Sequence, residues 1–294
     1  MKVLGFLPLL FLRTLTAKSL ILSSLVFTNV AFADDPSWSA PHAPYQITDN
    51  IYAVGTKGIG VYLITTPKGH ILLDAATEQG ANVVEANIKS LGFKLKDIKY
   101  LLENHAHSDH VGGLAQLKRS TGATIVASQG DQHSLEHGTL DSETNWEDKF
   151  TPVKVEKILA DGEKISLGGV QLQAVLTPGH TKGCTSWFME SPDKGNTRKV
   201  AFICSLTTAG NKLVNNKIYP QIADDFRNTF ARLKTKNADL LLIGHPDLAN
   251  LEEKNIAKKN GKADAFVDSN GLQKFVKTFE DKFEAELEKQ KKAQ

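Results

Sequence analysis

The stretch Ile98-Lys99-Tyr100-Leu101-Leu102-Glu103-Asn104-His105-Ala106-His107-Ser108-Asp109-His110 joins a short apolar run to a burst of metal-ligand side chains. The run Ile98 to Leu102 has the length and composition of a buried strand, and His105, His107, Asp109 and His110 follow within eight residues of its end. Alternate side chains of an extended segment point the same way, so His105 and His107 can meet one ion. A turn into a helix beginning near Val111 then re-aims Asp109 and His110 toward a second position. Neutral imidazole and carboxylate suit zinc, and three protein ligands per ion leave a place for water, which is the catalytic arrangement rather than the structural one.

Two further histidines stand where the same edge of a sheet would bring them. His180 lies in Thr177-Pro178-Gly179-His180-Thr181 after the strand-like run Val170 to Leu176, and His245 lies in Gly244-His245-Pro246 after Ala238 to Ile243. Carboxyl ends of strands converge on one edge of an α/β sheet, so three strand exits can surround one pocket.

The pattern His105-x-His107-x-Asp109-His110, Gly179-His180-Thr181 and Gly244-His245-Pro246 resembles the metallo-β-lactamase superfamily, and within it the class B, subclass three β-lactamases. Leu73-Asp74, Cys204-Ser205-Leu206-Thr207 and the run from Tyr219-Pro220 to Phe230 extend the resemblance over nearly all of the chain after its first 33 residues. The resemblance implies a single-domain, four-layer αββα sandwich of the α/β class. It also implies two zinc ions, the first held by His105, His107 and His180, the second by Asp109, His110 and His245. Other subclasses carry a zinc-binding Cys where this chain has Ser205, and the serine favours subclass three. By the same resemblance Asp109 orients the attacking hydroxide, Ser205 and Thr207 hydrogen-bond the substrate carboxylate or pocket water, and the protein is a monomer. Asp74 is expected to orient a ligand histidine from behind; a turn or helix-capping residue is its plainer reading.

The implied reaction is hydrolysis of the β-lactam amide in penicillins, cephalosporins and carbapenems, conferring antibiotic resistance. Two divalent ions about 3.5 to 4 Å apart lower the pKa of a shared water toward neutrality and supply hydroxide without a protein nucleophile. Two Zn²⁺, one Asp and one hydroxide leave a charge of about +2, which suits an anionic substrate such as a β-lactam carboxylate. The same chemistry serves thioester hydrolases of the glyoxalase II type, lactonases and phosphodiesterases. A zinc-binding protein without turnover is the reading from another class.

Residues 1–33 hold Lys2, Arg13 and Lys18 but no acid, then an apolar stretch from Leu20 to Phe32, and close on Ala31-Phe32-Ala33, an Ala-x-Ala cleavage pattern. This is expected to be an export signal, giving a periplasmic protein of residues 34–294 with no membrane attachment after cleavage. An uncleaved anchor is the alternative, and the apolar stretch is short for a span. Removing it leaves 261 residues and lowers the net charge from +2 to −1, so the basic pI belongs to the precursor. A near-neutral surface gives no footing for nucleic acid.

Strands are expected at 51–55, 61–66, 70–75, 98–102, 124–128, 170–176, 185–190, 200–204 and 238–243, and helices at 81–91, 111–120, 222–234 and 271–291. The last carries Leu272, Phe275, Val276, Phe279, Phe283 and Leu287 at helical spacing, a stripe for packing on the core. Cys184 and Cys204 are the chain's two cysteines, and in an exported protein a disulfide between them is expected. A zinc-binding Cys204 is the competing reading. His133-Ser134-Leu135-Glu136-His137 fits a metallopeptidase spacing, His-x-x-Glu-His, but the other constellation is complete without it, and a short helix at the pocket rim is expected instead. His42 and His70 are read as structural. Trp38-Ser39-Ala40-Pro41 and the loop around Trp146 are placed either as a lid or as ordinary packing.

Overall fold

The structure is a computed structural model that describes residues 1, 35–144 and 146–293. The expected export signal at 1–33 lies outside the described residues apart from Met1. No helix among the described residues is long and apolar enough to cross a membrane.

Strands β1 (Tyr45–Gln46), β2 (Ile51–Ala53), β3 (Tyr62–Thr66), β4 (Gly69–Leu73), β5 (Ile98–Leu102), β6 (Thr124–Ser128) and β7 (Lys157–Leu159) form one sheet in that order. Its first four strands form an antiparallel meander, and β4 to β7 run parallel. The parallel crossovers carry α1 (Ala81–Ser90), α2 (Ser108–Val111), α3 (Leu114–Thr121) and α4 (Gln129–His137). Strands β8 (Lys164–Leu167), β9 (Val170–Leu176), β10 (Thr185–Asp193), β11 (Asn196–Ile203) and β12 (Leu240–Ile243) form the second sheet, antiparallel except for the parallel pair β11 and β12. Helices α5 (Ile222–Lys234), α6 (Leu251–Lys259) and α7 (Gly271–Lys292) complete the chain.

Alternation along the strands builds the layers. In β3, Tyr62 and Ile64 enter the core shared with the second sheet and with Phe226, Phe230, Phe279 and Phe283 of α5 and α7. Leu63 points the other way, into a second core with Val84 and Ile88 of α1 and Leu114 and Leu117 of α3. The first sheet is therefore apolar on both faces, as parallel sheets covered on two sides must be. The result is the expected αββα sandwich.

The helix and strand expectations change in two ways. The helix expected from Val111 begins at Ser108 and breaks at Gly112-Gly113, so Asp109 and His110 sit on a helical turn instead of preceding it. A Cβ on Gly113 would stand 2.2 Å from the Ala75 carbonyl oxygen, so the break lets the chain press against the end of β4. The short strands β1, β7 and β8 and helix α6 join the expected set; β8 is Lys-Ile-Ser-Leu, too short and half polar to stand out.

Cross-sheet hydrogen bonds pin the strand exits together. The Tyr62 hydroxyl donates to the Ile243 carbonyl at 2.6 Å, the Thr185 amide to the Asn104 carbonyl at 2.8 Å, and the Asn104 side-chain amide to the Thr185 carbonyl at 3.0 Å. Cys184 and Cys204 form the expected disulfide across β10 and β11, with Cα atoms 5.9 Å apart, which removes Cys204 as a zinc ligand. The two bridged residues are 20 positions apart. Closing a loop of that size restrains the unfolded chain by about 3 kcal/mol in the loop-entropy treatment. Reduction, or Cys184→Ala with Cys204→Ala, is expected to lower unfolding stability by about that amount. Intact mass after alkylation with and without reductant checks the bond, and denaturant melts check the energy.

Candidate metal centre

Five strands end at one place, and each exit delivers a polar residue to it. Asp74 follows β4, His105 to His110 follow β5, His180 follows β9, Ser205 follows β11 and His245 follows β12. All six residues expected to hold metal come together. The ring nitrogens His107 Nδ1 and His180 Nε2 lie 3.1 Å apart, and His105, His107 and His180 each present one donor atom within 4.8 Å of the others. Beside them, Asp109 Oδ2 lies 3.1 Å from His110 Nε2 and 3.2 Å from His245 Nε2, and those two nitrogens are 3.3 Å apart. His105 also falls within 4.8 Å of Asp109 and His110, so it adjoins both groups.

Those separations fit a cation. Ligands at about 2.0 to 2.1 Å in a tetrahedral shell stand about 3.3 Å from one another, which is the spacing of the Asp109, His110 and His245 donor atoms. Tautomers agree as well. His180 Nδ1 lies 2.7 Å from the Thr207 carbonyl, which can only accept, so the proton sits on Nδ1 and the Nε2 lone pair faces His107. His110 Nδ1 faces Asp74 Oδ2 at 3.2 Å, turning Nε2 toward Asp109 and His245. Asp74 Oδ1 also accepts the Asn104 amide at 2.7 Å, so this buried carboxylate stands behind the His110 ring and caps no helix. The buried Nδ1 of His105 has no hydrogen-bond partner among the described residues.

The electrostatics ask for positive charge. Burial holds His105, His107 and His180 below the ordinary imidazole range, His107 at about 4, so these rings are in the neutral, ligating form. Burial works against charge on His110 too, yet the Asp109 and Asp74 carboxylates outweigh it and raise its pKa to about 10. Burial also opposes ionisation of Asp109, but His110 and His245 hold it well below the usual carboxylate range. Glu103, buried with neither carboxyl oxygen hydrogen-bonded, is pushed far above that range first by burial and then by Asp131 and Asp74, and is a neutral acid.

Ser205 and Thr207 lie at the site with hydroxyls 3.1 Å apart, and the Thr207 backbone also orients His180. The Trp38 ring packs against His245 at 5.7 Å between centroids and the Trp146 ring against His107 at 5.3 Å, so both tryptophan segments wall the centre. His42 pairs with Glu252 and His70 packs edge-on against Phe93, in keeping with structural roles. Glu136 of the His-x-x-Glu-His motif accepts from Gln132 and the Val155 amide, away from this centre.

Sequence reasoning missed the residue that joins the two ligand loops. Asp131, on the first turn of α4, accepts from the Ala106 amide at 3.0 Å, the Gly183 amide at 2.9 Å and the Thr181 hydroxyl at 2.9 Å. Burial pushes its pKa up to about 6 against those three hydrogen bonds. A Cβ on Gly183 would lie 2.2 Å from the Asp131 amide nitrogen and one on Gly130 2.5 Å from the Lys182 carbonyl, so two glycines allow the approach. Asp148 does similar work at the Ser108 amide, at 2.7 Å, and Asn211 donates to the His180 carbonyl at 3.1 Å. The available signal was position: Asp131 follows β6 as Asp74 follows β4.

Asp131→Ala leaves two buried amides and a hydroxyl without an acceptor and is expected to cost about 2–4 kcal/mol. Denaturant melts measure this, and the zinc-to-protein ratio after dialysis should fall with it. Asp74→Ala is expected to weaken metal retention about 10- to 100-fold, read by competition with a chromogenic chelator.

Residues 55–245 match the family model described as Metallo-beta-lactamase superfamily. Among solved structures, the chain is similar to BJP-1, a subclass B3 metallo-beta-lactamase of Bradyrhizobium japonicum, at 42% identity and a TM-score of 0.84 over 88% of this chain and 98% of that one. It is similar to the FEZ-1 metallo-beta-lactamase of Legionella gormanii at 35% identity, TM-score 0.81, over 86% and 98%. Among curated proteins it is 30% identical over 152 residues to a hydroxyacylglutathione hydrolase of Rhodospirillum rubrum, covering 51% of this chain and 47% of the relative. The chain thus spans about half the length of the curated relatives it matches. With the fold, the ligand cluster and the family match in agreement, the chain belongs to the metallo-beta-lactamase superfamily of hydrolases.

Proposed function

We propose that this protein is a di-zinc β-lactamase of the subclass three kind, exported to the periplasm as residues 34–294 and acting as a monomer. The observation that carries the reading is its extent: similarity to a subclass B3 enzyme reaches 98% of that chain at 42% identity, whereas similarity to the thioester hydrolase stops at 47% of its length. In this reading His105, His107 and His180 hold one zinc, and Asp109, His110 and His245 hold the other. When bound, the zinc pair supplies a nucleophilic hydroxide and Lewis acidity at the lactam carbonyl and nitrogen.

The protein's own groups do the rest. Asp109 Oδ2, set between His110 and His245, is placed to orient the attacking oxygen and to receive its hydrogen bond. Asp74 and the Thr207 carbonyl fix the tautomers of His110 and His180, so the donor atoms do not reorganise during the reaction. The Ser205 and Thr207 hydroxyls are suited to the substrate carboxylate. Trp38 and Trp146 present apolar faces to the lactam and its substituents and limit water around it. A groove of about 840 Å³, whose lining includes Trp146, Asp148, Asn211 and Lys212, opens beside the centre and offers room for a substrate's side chain.

Hydroxyacylglutathione hydrolase likeness favours thioester opening as the second reading. Zinc-reconstituted protein is expected to turn over a chromogenic cephalosporin, to lose that activity to a chelator and to regain it with zinc, and to leave S-lactoylglutathione intact. Asp109→Ala is expected to lower kcat/KM at least about 100-fold, the order seen when one preorganised group at a reacting centre is removed, while zinc at the His105, His107 and His180 site is retained. Thioester turnover without cephalosporin turnover would reject the proposal.

A further inference from the structure

We propose a second, peripheral metal site on helix α4, formed by His133 and His137 and taking a borderline divalent cation such as Ni²⁺, Cu²⁺ or Zn²⁺. Both imidazoles are exposed on the helix Gln129–His137, one turn apart on the same face. Their rings are stacked, with centroids 4.2 Å apart and an angle of 21° between planes. Two imidazole nitrogens bound to one ion stand about 3 Å apart. Rotation of the two exposed side chains about their own bonds turns the stacked rings so that one nitrogen of each faces a common ion.

The tautomer of one ring is already set for binding. His137 Nδ1 lies 2.9 Å from the carbonyl oxygen of His133, which can only accept, so Nδ1 carries the proton and the Nε2 lone pair is left for a ligand. Neither ring forms an ion pair among the described residues, in contrast to His42, which is engaged by Glu252. The intervening Glu136 is turned to Gln132 and Val155, so the pair stands as a two-nitrogen chelate completed by water. That donor set selects the imidazole-binding metals and discriminates against Mg²⁺ and Ca²⁺, which require oxygen cages.

The site's place in the fold gives it a consequence. The first turn of α4 carries Asp131, which clamps the two ligand loops of the buried centre, and Ser134 and Leu135 bury the inner face of the same helix. A cation on His133 and His137 staples the last turns of α4 from outside, stabilising the folded helix with the logarithm of free-ion concentration above the dissociation constant.

The test uses protein first saturated with zinc and freed of excess, so that the buried centre is filled, followed by calorimetric titration with Ni²⁺. One further equivalent per chain is expected, absent with Mg²⁺. Affinity should fall about 100-fold in His133→Ala or His137→Ala, since loss of either nitrogen ends the chelate. Thermal midpoints should rise with Ni²⁺ in the parent and not in the variants. Cephalosporin hydrolysis by zinc-loaded protein should be the same in all three, so failure here is distinct from failure of the β-lactamase reading. No added equivalent, or an equivalent that persists in the His133→Ala/His137→Ala double variant, overturns the site.

Discussion

Five imidazoles and one carboxylate converge on one pocket, all but His245 nearly cut off from water, and their close-set lone pairs call for positive charge among them. His105, His107, His110 and His180 are each 5% exposed or less, and Asp109 is 7% exposed. Lone pairs that face each other at about 3 Å repel unless a proton or a cation lies between them. The metal-free protein can meet that demand only partly, by a proton on His110 held between Asp109 and Asp74. Divalent cations meet it fully. A cation bound by this cluster would add its binding energy to the stability of the fold, because the unfolded chain lacks the assembled ligands.

What holds them is a set of buried carboxylates that never touch the reacting atoms. Asp74 ties the end of β4 to the end of β5 and to His110, while Asp131 ties the His105 loop to the His180 loop. Each replaces backbone partners that the irregular chain between strand and helix has lost. Asp74 does so at a φ of 66°, a left-handed conformation that Asp tolerates better than most residues and that swings its carboxylate under the turn. Gly244 completes the packing from the other sheet, since a Cβ there would stand 2.4 Å from the His110 ring.

The chemistry was more legible in the sequence than the scaffold that supports it. His105 to His110 stand out because no fold needs so many ligand types so close together, and His180 and His245 because each follows an apolar run. Strands rich in apolar and β-branched residues, such as Ile98–Leu102, Thr124–Ser128 and Val170–Leu176, are found at their exact bounds because that composition bounded by turn residues marks a buried strand. Helix α4 was harder, since Gln-Gly-Asp-Gln-His-Ser-Leu-Glu-His has the composition of a solvated segment and its buried face is only Asp131, Ser134 and Leu135. A polar residue buried for hydrogen bonding leaves no hydrophobic period, so Asp131 and Asn211 become visible only when their partners are located in space.

That asymmetry bears on how substrate range can change without disturbing the reaction. The ligand loops are fixed from below by Asp74, Asp131 and the cross-sheet bonds of Tyr62 and Asn104, all on strand or helix ends. The walls come from elsewhere: Trp38 from the segment before β1 and Trp146 from the long connection between α4 and β7. Trp146 is held by its indole N–H on the Ala209 carbonyl at 2.7 Å, and Trp38 by the Thr56 hydroxyl on its own carbonyl at 2.8 Å. With the Trp38 amide on the Asp35 carbonyl and the Thr144 hydroxyl on the Trp146 carbonyl, these are local hydrogen bonds of about 0.5–1.5 kcal/mol each, against several buried charge-assisted bonds beneath the ligand cluster. The rim can therefore be replaced at less energetic cost than the clamp beneath it while the donor atoms stay in register, which separates what the pocket accepts from what it does to it.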